Sequence, residues 1–155
     1  MYNEKLGTLE KLTDKIKHIM KFGHLMPNKT LCADKIKVHE YCKTVLGKDI
    51  CIPIIRIYNS IDEINLSVLP QSFVIKANHG CGYNLIVKNK STVDENYVKM
   101  LASKWINDDF SRYQHEMQYK LIPHKIFAEQ FMFDGHADSL TDYKFLCFNG
   151  KPTYC

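Results

Sequence analysis

The stretch FVIKANHGCGYNLIVKN, residues 73–89, constrains the fold more than any other part of the sequence. Two runs rich in Val, Ile, Leu and Phe flank a centre of Asn, His and Gly, a pattern typical of a β-hairpin. Neither a GK[ST] ending nor a GxGxxG pattern is present, and a strand rather than a helix follows the glycines. The stretch therefore predicts two antiparallel strands joined by a glycine loop.

Lys76 ends the first of these strands and is the residue of the hairpin that most suggests a ligand. Side chains alternate across a strand, so Lys76 shares a face with the apolar Val74. Burial of a lysine without an anionic partner is costly, and a phosphate would remove that cost. Glycines would let the hairpin tip close over phosphates, because they allow backbone N–H groups to approach closely. The alternative is a plain hairpin with two solvated lysines, Lys76 and Lys88.

The rest of the chain mixes helical and strand patterns, which predicts an α+β fold rather than a doubly wound sheet. A first helix is expected to end near Phe22-Gly23. Asp34 is expected to cap a second helix that Gly47 closes, with a loop, PNKTLCAD, before it. A capping box of Thr92 and Glu95 predicts a third helix over 93–110.

Further strands are predicted by three apolar runs: ICIPIIRIY, HKIFAEQFMF and DYKFLCFNGKPTYC. Pro53 in the first run favours an edge strand or a strand start. Asn149-Gly150 in the last run favours a type I′ hairpin turn. We expect residues 1–70 to form an N-terminal helical segment and residues 71–155 a second region that contains the hairpins.

Composition narrows the class of protein further. The net charge is +4 and the lysines are scattered along the sequence, which argues against a nucleic-acid partner. The basic face of the first helix is interpreted as a solvated surface rather than as a membrane contact. No apolar run approaches ~18–20 residues, and none of the six cysteines forms a Cys-x-x-Cys pair. The simplest interpretation is a cytoplasmic protein with reduced thiols.

The other chemistry-bearing residues give weaker signals. The histidines lack metal-ligand spacing, so no metal site is predicted, and Cys32 and Cys42 are interpreted as packing residues. A glycosyltransferase that holds a metal with Asp-x-Asp is an alternative. The doublet Asp108-Asp109 and the turn residues 134–138 are the nearest matches to that motif.

Four blocks of sequence carry a resemblance to a known family. They are ADKIKVHEY, LPQSFVIKANHGCGYNLIVKNK, AEQF and DYKFLCFNGKP, and together they extend from about Ala33 to the end of the chain. In order and spacing they resemble ATP-grasp proteins of the teichuronopeptide-biosynthesis type, the TupA-like group.

The resemblance implies a fold that grips ATP between two α+β subdomains. It also implies a reaction in which ATP phosphorylates a carboxylate and an amine attacks the acylphosphate. The group is linked to cell-surface polysaccharides and their amino-acid decorations, and its members are often labelled glycosyltransferases. The expected partners are therefore a nucleotide and a carboxylate-bearing small molecule or glycan.

The resemblance also implies that the hairpin holds the phosphates of ATP. Lys35 and Lys76 match the two phosphate-binding lysines of the family. Gly80 and Gly82 match the glycines of the flap that covers the phosphates. A triphosphate carries about four negative charges and needs several cations, so lysines from separate elements suit it.

Two further sets of residues are implied in nucleotide binding. Asn78 and His79 sit at the entrance of the loop, where the group commonly shows Asn-His. Glu129 and Phe131, with Gln130 between them, match the hinge that meets adenine through backbone groups and ribose through a carboxylate.

Asp142 and Lys144 match a charged pair that faces the phosphates or the acceptor, which makes them the expected catalytic residues.

This sequence departs from the family at His39, where the group often has arginine. It also departs in lacking a DFxxxE-like segment, because the acidic Mg²⁺ ligands of the family would follow Cys155. The chain is therefore expected to lack the C-terminal metal-binding part.

That expected lack leaves two possibilities open. The chain could be a truncated nucleotide-binding module without catalysis, because the reacting oxygens would lose their main charge stabilisation. Alternatively, a second chain could complete the sheet and supply the Mg²⁺ ligands.

Overall fold

Four antiparallel strands form the central sheet of the structure, a computed structural model that describes residues 7–135, 140–148 and 150–155. The strands lie in the order β1-β4-β2-β3. They are β1 (Ile54–Tyr58), β2 (Phe73–Ala77), β3 (Asn84–Val87) and β4 (Ile126–Gln130). The predicted hairpin is confirmed, because β2 pairs antiparallel with β3. The edge position predicted from Pro53 is also confirmed, since β1 pairs only with β4 in this sheet.

A second antiparallel pair follows the central sheet. It consists of β5 (Leu146–Phe148) and β6 (Lys151–Tyr154). Gly150 between them has a φ of 76°, the left-handed conformation that favours glycine. Asn149, the other residue of the predicted turn, lies outside the described residues, as do residues 136–139 of the alternative aspartate motif.

From residue 9 onwards, five α-helices accompany the sheets in the described part of the chain. They are α1 (Leu12–Phe22), α2 (Lys29–Ala33), α3 (Val38–Leu46), α4 (Glu95–Ile106) and α5 (Ser111–Gln114). The α+β class is thus confirmed, as is the end of the first helix. None of these helices has the length and apolar character needed to cross a membrane.

Two local predictions about the helices are wrong. The segment PNKTLCAD contains α2, whose turn closes when the Cys32 N–H donates to the Asn28 carbonyl oxygen at 2.8 Å. Its packing against the turn at Met117–Tyr119 overrides the local loop signal.

The predicted capping box does not form either. Asp94 caps α4 by accepting from the Asn96 N–H at 3.1 Å. Glu95 instead accepts from the Leu66 N–H at 2.9 Å, and the Thr92 hydroxyl donates to the Asn89 carbonyl oxygen.

The core lies between α4 and one face of the central sheet. Phe73, Ile75 and Ala77 of β2 pack with Val98 and Trp105 of α4 in one apolar cluster. Successive side chains of a strand point to opposite faces. Val74 and Lys76 therefore lie on the other face of the sheet, away from α4, and that face carries the candidate site.

Candidate functional site

The face of the central sheet turned away from α4 forms the floor of a cleft of about 220 Å³. Val74 lies on this floor between Ile86 of β3 and Glu129 of β4, its partners in the strand register. The segment that leaves β4 forms a wall with Phe131 and Phe133. The cleft is thus mainly apolar and contains few polar groups, which is typical of a small-molecule site.

Lys76 and Glu129 form an ion pair in this cleft. Their side chains are 25% and 8% exposed, so both charges are largely removed from water. Lys76 lies beside Asn84 of β3, and Glu129 follows Phe127 and Ala128 near the end of β4. The pair gives the cleft one cation for an anionic ligand and one carboxylate for hydroxyl or amine donors.

Lys35 approaches the same region from the start of α3. Its Nζ donates to the carbonyl oxygen of Gly80, and its backbone N–H donates to the Asn78 carbonyl oxygen at 3.2 Å. Burial lowers the pKa of Lys35 below its ordinary value, and the positive charge of Lys76 lowers it further. The two predicted phosphate lysines are therefore close enough for their charges to interact, beside the glycine loop.

Asn78 joins three separate segments of the chain. Its Nδ2 donates to Asp34 Oδ1 and to the Pro123 carbonyl oxygen, each at 3.0 Å. Its Oδ1 accepts from the Lys125 N–H at 2.8 Å. Asn78 is fully buried, so its side chain fixes the loop entrance and the start of α3 rather than facing the cleft.

Asp34 completes this set of hydrogen bonds from the turn before α3, whereas the N-cap residue of that helix is Lys37 rather than the predicted Asp34. Its Oδ1 accepts from the backbone N–H groups of Ile36 and Lys37 at 2.9 and 3.3 Å, in the turn that leads into α3. At the other end of that helix, Gly47 has a φ of 71°.

His79 is buried behind the loop with no exposed surface. Its Nε2 lies 3.0 Å from the Trp105 carbonyl oxygen, and its ring stacks on His124 at 3.5 Å between centroids. Burial lowers the pKa of His79 to about 4, and the neighbouring His124 adds to that lowering. His79 is therefore neutral at neutral pH and packs against α4.

We expect the protein to lose stability as the pH falls from about 6.5 towards about 4, because His79 accepts a proton more readily in the unfolded chain. The folded pKa lies below the unfolded value, so acid favours the unfolded state. From pH 7 to pH 5 this histidine should contribute a loss of about 2 kcal/mol.

Urea denaturation of the wild type and of His79→Gln at the two pH values measures this contribution. The glutamine cannot titrate, so the variant should show the smaller loss. An equal pH dependence in the two proteins would contradict the assignment.

The two glycines of the loop have different structural roles. A Cβ on Gly80 would lie 2.6 Å from the ring of Tyr83, so this position is required for close packing. Gly82 has a φ of 78° and open space around it, so it is required for the turn. Gly80 is buried, whereas Cys81 and Gly82 are exposed, so the accessible tip of the loop is short.

The predicted catalytic pair is exposed. Asp142 and Lys144 lie between the cleft wall and β5, and neither lines the cleft. Phe131, predicted at the adenine hinge, does line it. The structure therefore groups Lys76, Glu129 and Phe131 in one cleft, with Lys35 nearby, whereas Asp142 and Lys144 are not among the residues that line it.

The Mg²⁺ ions of ATP-grasp chemistry require several oxygen ligands. Among the described residues, Glu129 is the one acidic residue that lines the cleft, and Lys76 already pairs with it. This donor set does not fit a magnesium ion. The aspartates of the alternative motif are also engaged, because Asp108 accepts from the Tyr83 hydroxyl at 2.6 Å and Asp109 from the Ser111 N–H at 3.1 Å.

Sequence reasoning missed most of the apolar walls of the cleft. Val74 was noticed only as a neighbour of Lys76, and Ile86, Met132 and Phe133 were not singled out as site residues. The alternation of β3 could have identified Ile86, because it pairs with Val74. No local pattern marks Met132 and Phe133, which follow the end of β4.

Comparison with known proteins identifies the family of the chain. The sequence profile of the family described as TupA-like ATPgrasp matches residues 10–155. The chain therefore belongs to the TupA-like ATP-grasp family. Searches of curated proteins and of solved structures found no match.

Proposed function

We propose that the cleft on the central sheet binds ATP. The observation that carries this proposal is the Lys76–Glu129 pair, partly desolvated on an apolar floor. Lys76 would hold phosphate oxygens and Glu129 would accept from ribose hydroxyls. The apolar side chains of Ile86 and Phe131 would contact the flat faces of adenine.

Lys35 extends this arrangement towards the glycine loop. Its ammonium group now donates to the Gly80 carbonyl oxygen, and a phosphate oxygen would be a stronger, charged acceptor. The exposed tip at Cys81 and Gly82 would lie over the phosphates. Two lysines from separate elements would then neutralise part of the charge of the triphosphate.

The reaction proposed for the site is ATP-dependent joining of a carboxylate to an amine. The carboxylate oxygen attacks the γ-phosphorus and ADP leaves, and the amine nitrogen then displaces phosphate from the acylphosphate to form an amide. Membership of the family favours a carboxylate carried by a cell-surface polysaccharide or its amino-acid decorations. Asp142 and Lys144 are proposed to contact that acceptor.

Magnesium would supply charge neutralisation at the transferred phosphoryl group, but the described residues do not fit it. This observation favours a second candidate, a nucleotide-binding module without catalysis. Incubation of the chain with Mg·ATP, a panel of carboxylates and hydroxylamine distinguishes the ligase from the non-catalytic module. An acylphosphate would yield a hydroxamate, whereas ATP binding without any hydroxamate or ADP would favour the module.

A charge placed in the apolar wall tests the position of the nucleotide. Ile86→Glu puts a carboxylate into the cleft, and we expect it to weaken ATP binding at least about tenfold, because the charge would lose water against the adenine ring. Ile86 is 56% exposed, so the fold should tolerate the change. Calorimetric titration of ATP into each protein measures the effect.

Val68→Glu is the matched control for this experiment. Val68 is 57% exposed and lies outside the cleft, so the same charge change should leave ATP affinity unchanged. Equal affinities for the two variants would refute the cleft as the nucleotide site. No binding by folded wild-type protein would refute the proposal as a whole.

A further inference from the structure

A cluster of four potential metal ligands lies outside the cleft, between the first half of α3 and the connection that leads to β1. His39 and Cys42 are three residues apart on α3, so they share a face of the helix. Asp49 and Cys51 lie in the connection that follows Gly47. The ligand atoms of His39, Asp49 and Cys51 all lie within 4.8 Å of one another.

Direct contacts connect the four residues in pairs. His39 Nδ1 is 2.7 Å from Asp49 Oδ2, and Cys51 Sγ is 3.8 Å from Cys42 Sγ. Asp49 Oδ1 accepts from the Cys51 N–H at 2.9 Å, which orients the carboxylate so that its other oxygen faces His39. The helix thus contributes one nitrogen and one sulfur, and the loop contributes one oxygen and one sulfur.

We propose that His39, Cys42, Asp49 and Cys51 bind one Zn²⁺ ion. Imidazole, carboxylate and thiolate are the zinc ligands of proteins, and four ligands complete a tetrahedral site. Two sulfurs bound to the same zinc ion lie about 3.8 Å apart, as the Zn–S bond length requires. The two thiols of this cluster already have that separation.

The histidine and the carboxylate must separate slightly to admit the metal. Nitrogen and oxygen ligands on one zinc ion lie about 3.3 Å apart, somewhat farther than the present hydrogen bond allows. The bond between His39 and Asp49 would open as the metal replaces their shared proton. The Asp49 side chain is 41% exposed, which leaves its carboxylate room for this movement.

The proposed ion would have a structural role. It would fix the first half of α3 to the connection that leads into β1, and Ile52, which lines the cleft, directly follows Cys51. The site is closed by four protein ligands, so it has no open position for a substrate. Zinc would therefore hold one wall of the cleft without taking part in the chemistry there.

The test is a zinc titration of the reduced, untagged chain against a chromophoric chelator. We expect the wild type to bind one equivalent of Zn²⁺, and the Co²⁺-substituted protein to show thiolate-to-metal charge transfer and tetrahedral d–d bands. Cys51→Ser and His39→Gln should each weaken binding on the order of 100-fold or more, since loss of a group that only hydrogen-bonds to a metal ligand already costs about 10–100-fold. Cys32→Ser and Cys81→Ser, which remove exposed thiols outside the cluster, should bind as the wild type does.

Several outcomes would overturn the proposal. Folded wild-type protein that takes no stoichiometric zinc would do so, as would His39→Gln with unchanged affinity and an unchanged cobalt spectrum. A Cys42–Cys51 disulfide that forms equally fast with and without zinc would identify the pair as a redox couple instead. Circular dichroism of each variant confirms folding, and the wild-type titration decides even if a variant does not fold.

Discussion

The Lys76→Met variant is expected to be about 3 kcal/mol less stable than the wild-type chain, because the change leaves the Glu129 carboxylate buried without its partner. The Glu129 side chain is only 8% exposed, so water cannot replace the ammonium group. A loss of about 3 kcal/mol is at the lower end of the range for buried ion pairs that lose one partner, since the Lys76 side chain is 25% exposed. Urea denaturation monitored by circular dichroism measures the loss.

The double variant Lys76→Met, Glu129→Gln separates the burial of a lone charge from the loss of packing. Removing both charges should restore most of the lost stability, because the unpaired carboxylate is gone. Lys104→Met, at an exposed position on α4, should have a free energy of unfolding close to that of the wild type. A double variant as unstable as Lys76→Met would show that the pair is not the cause.

The Gly80→Ala variant should lose about 2–3 kcal/mol of folding free energy through overpacking. The added methyl group would meet the ring of Tyr83 at 2.6 Å and the Cβ of Phe110 at 3.1 Å. The ring cannot move aside freely, because its hydroxyl donates to Asp108 and it packs near Trp105. Thermal or urea denaturation measures the loss.

Gly82→Ala is the matched control in the same loop. Nothing lies within 4 Å of a Cβ at this position, so only the strain of its positive φ contributes, about 1 kcal/mol. Gly80→Ala should therefore be the less stable of the two variants. The reverse order would mean that backbone conformation, rather than packing, determines the requirement for glycine here.

The hairpin and its ion pair show what the sequence predicts well. Two β-rich runs around glycines predict β2 and β3 by local rules, and alternation places Lys76 on the face away from Phe73 and Ile75. Glu129 was identified through family resemblance, and the structure adds the reason that it matters to Lys76. The strand register brings them onto one face, which no local pattern shows.

The roles of Asn78 and His79 show why the rest of the site could not be predicted. Both looked like ligand groups at a loop entrance, but the structure buries them against segments distant in sequence. Their partners Pro123, Lys125 and Trp105 become neighbours only after the sheet and α4 pack together. Helix α2 has the same origin, because its packing partner lies about ninety residues further on.

The hydrogen bonds of the Asn78 side chain also affect how the chain folds. Its side-chain hydrogen bonds join residues 44, 45 and 47 positions apart, so each requires a long loop to close. Closure of such loops costs chain entropy before any contact repays it, so these bonds form late. We therefore expect the entrance of the glycine loop to become fixed only after Pro123 and Lys125 have been synthesised.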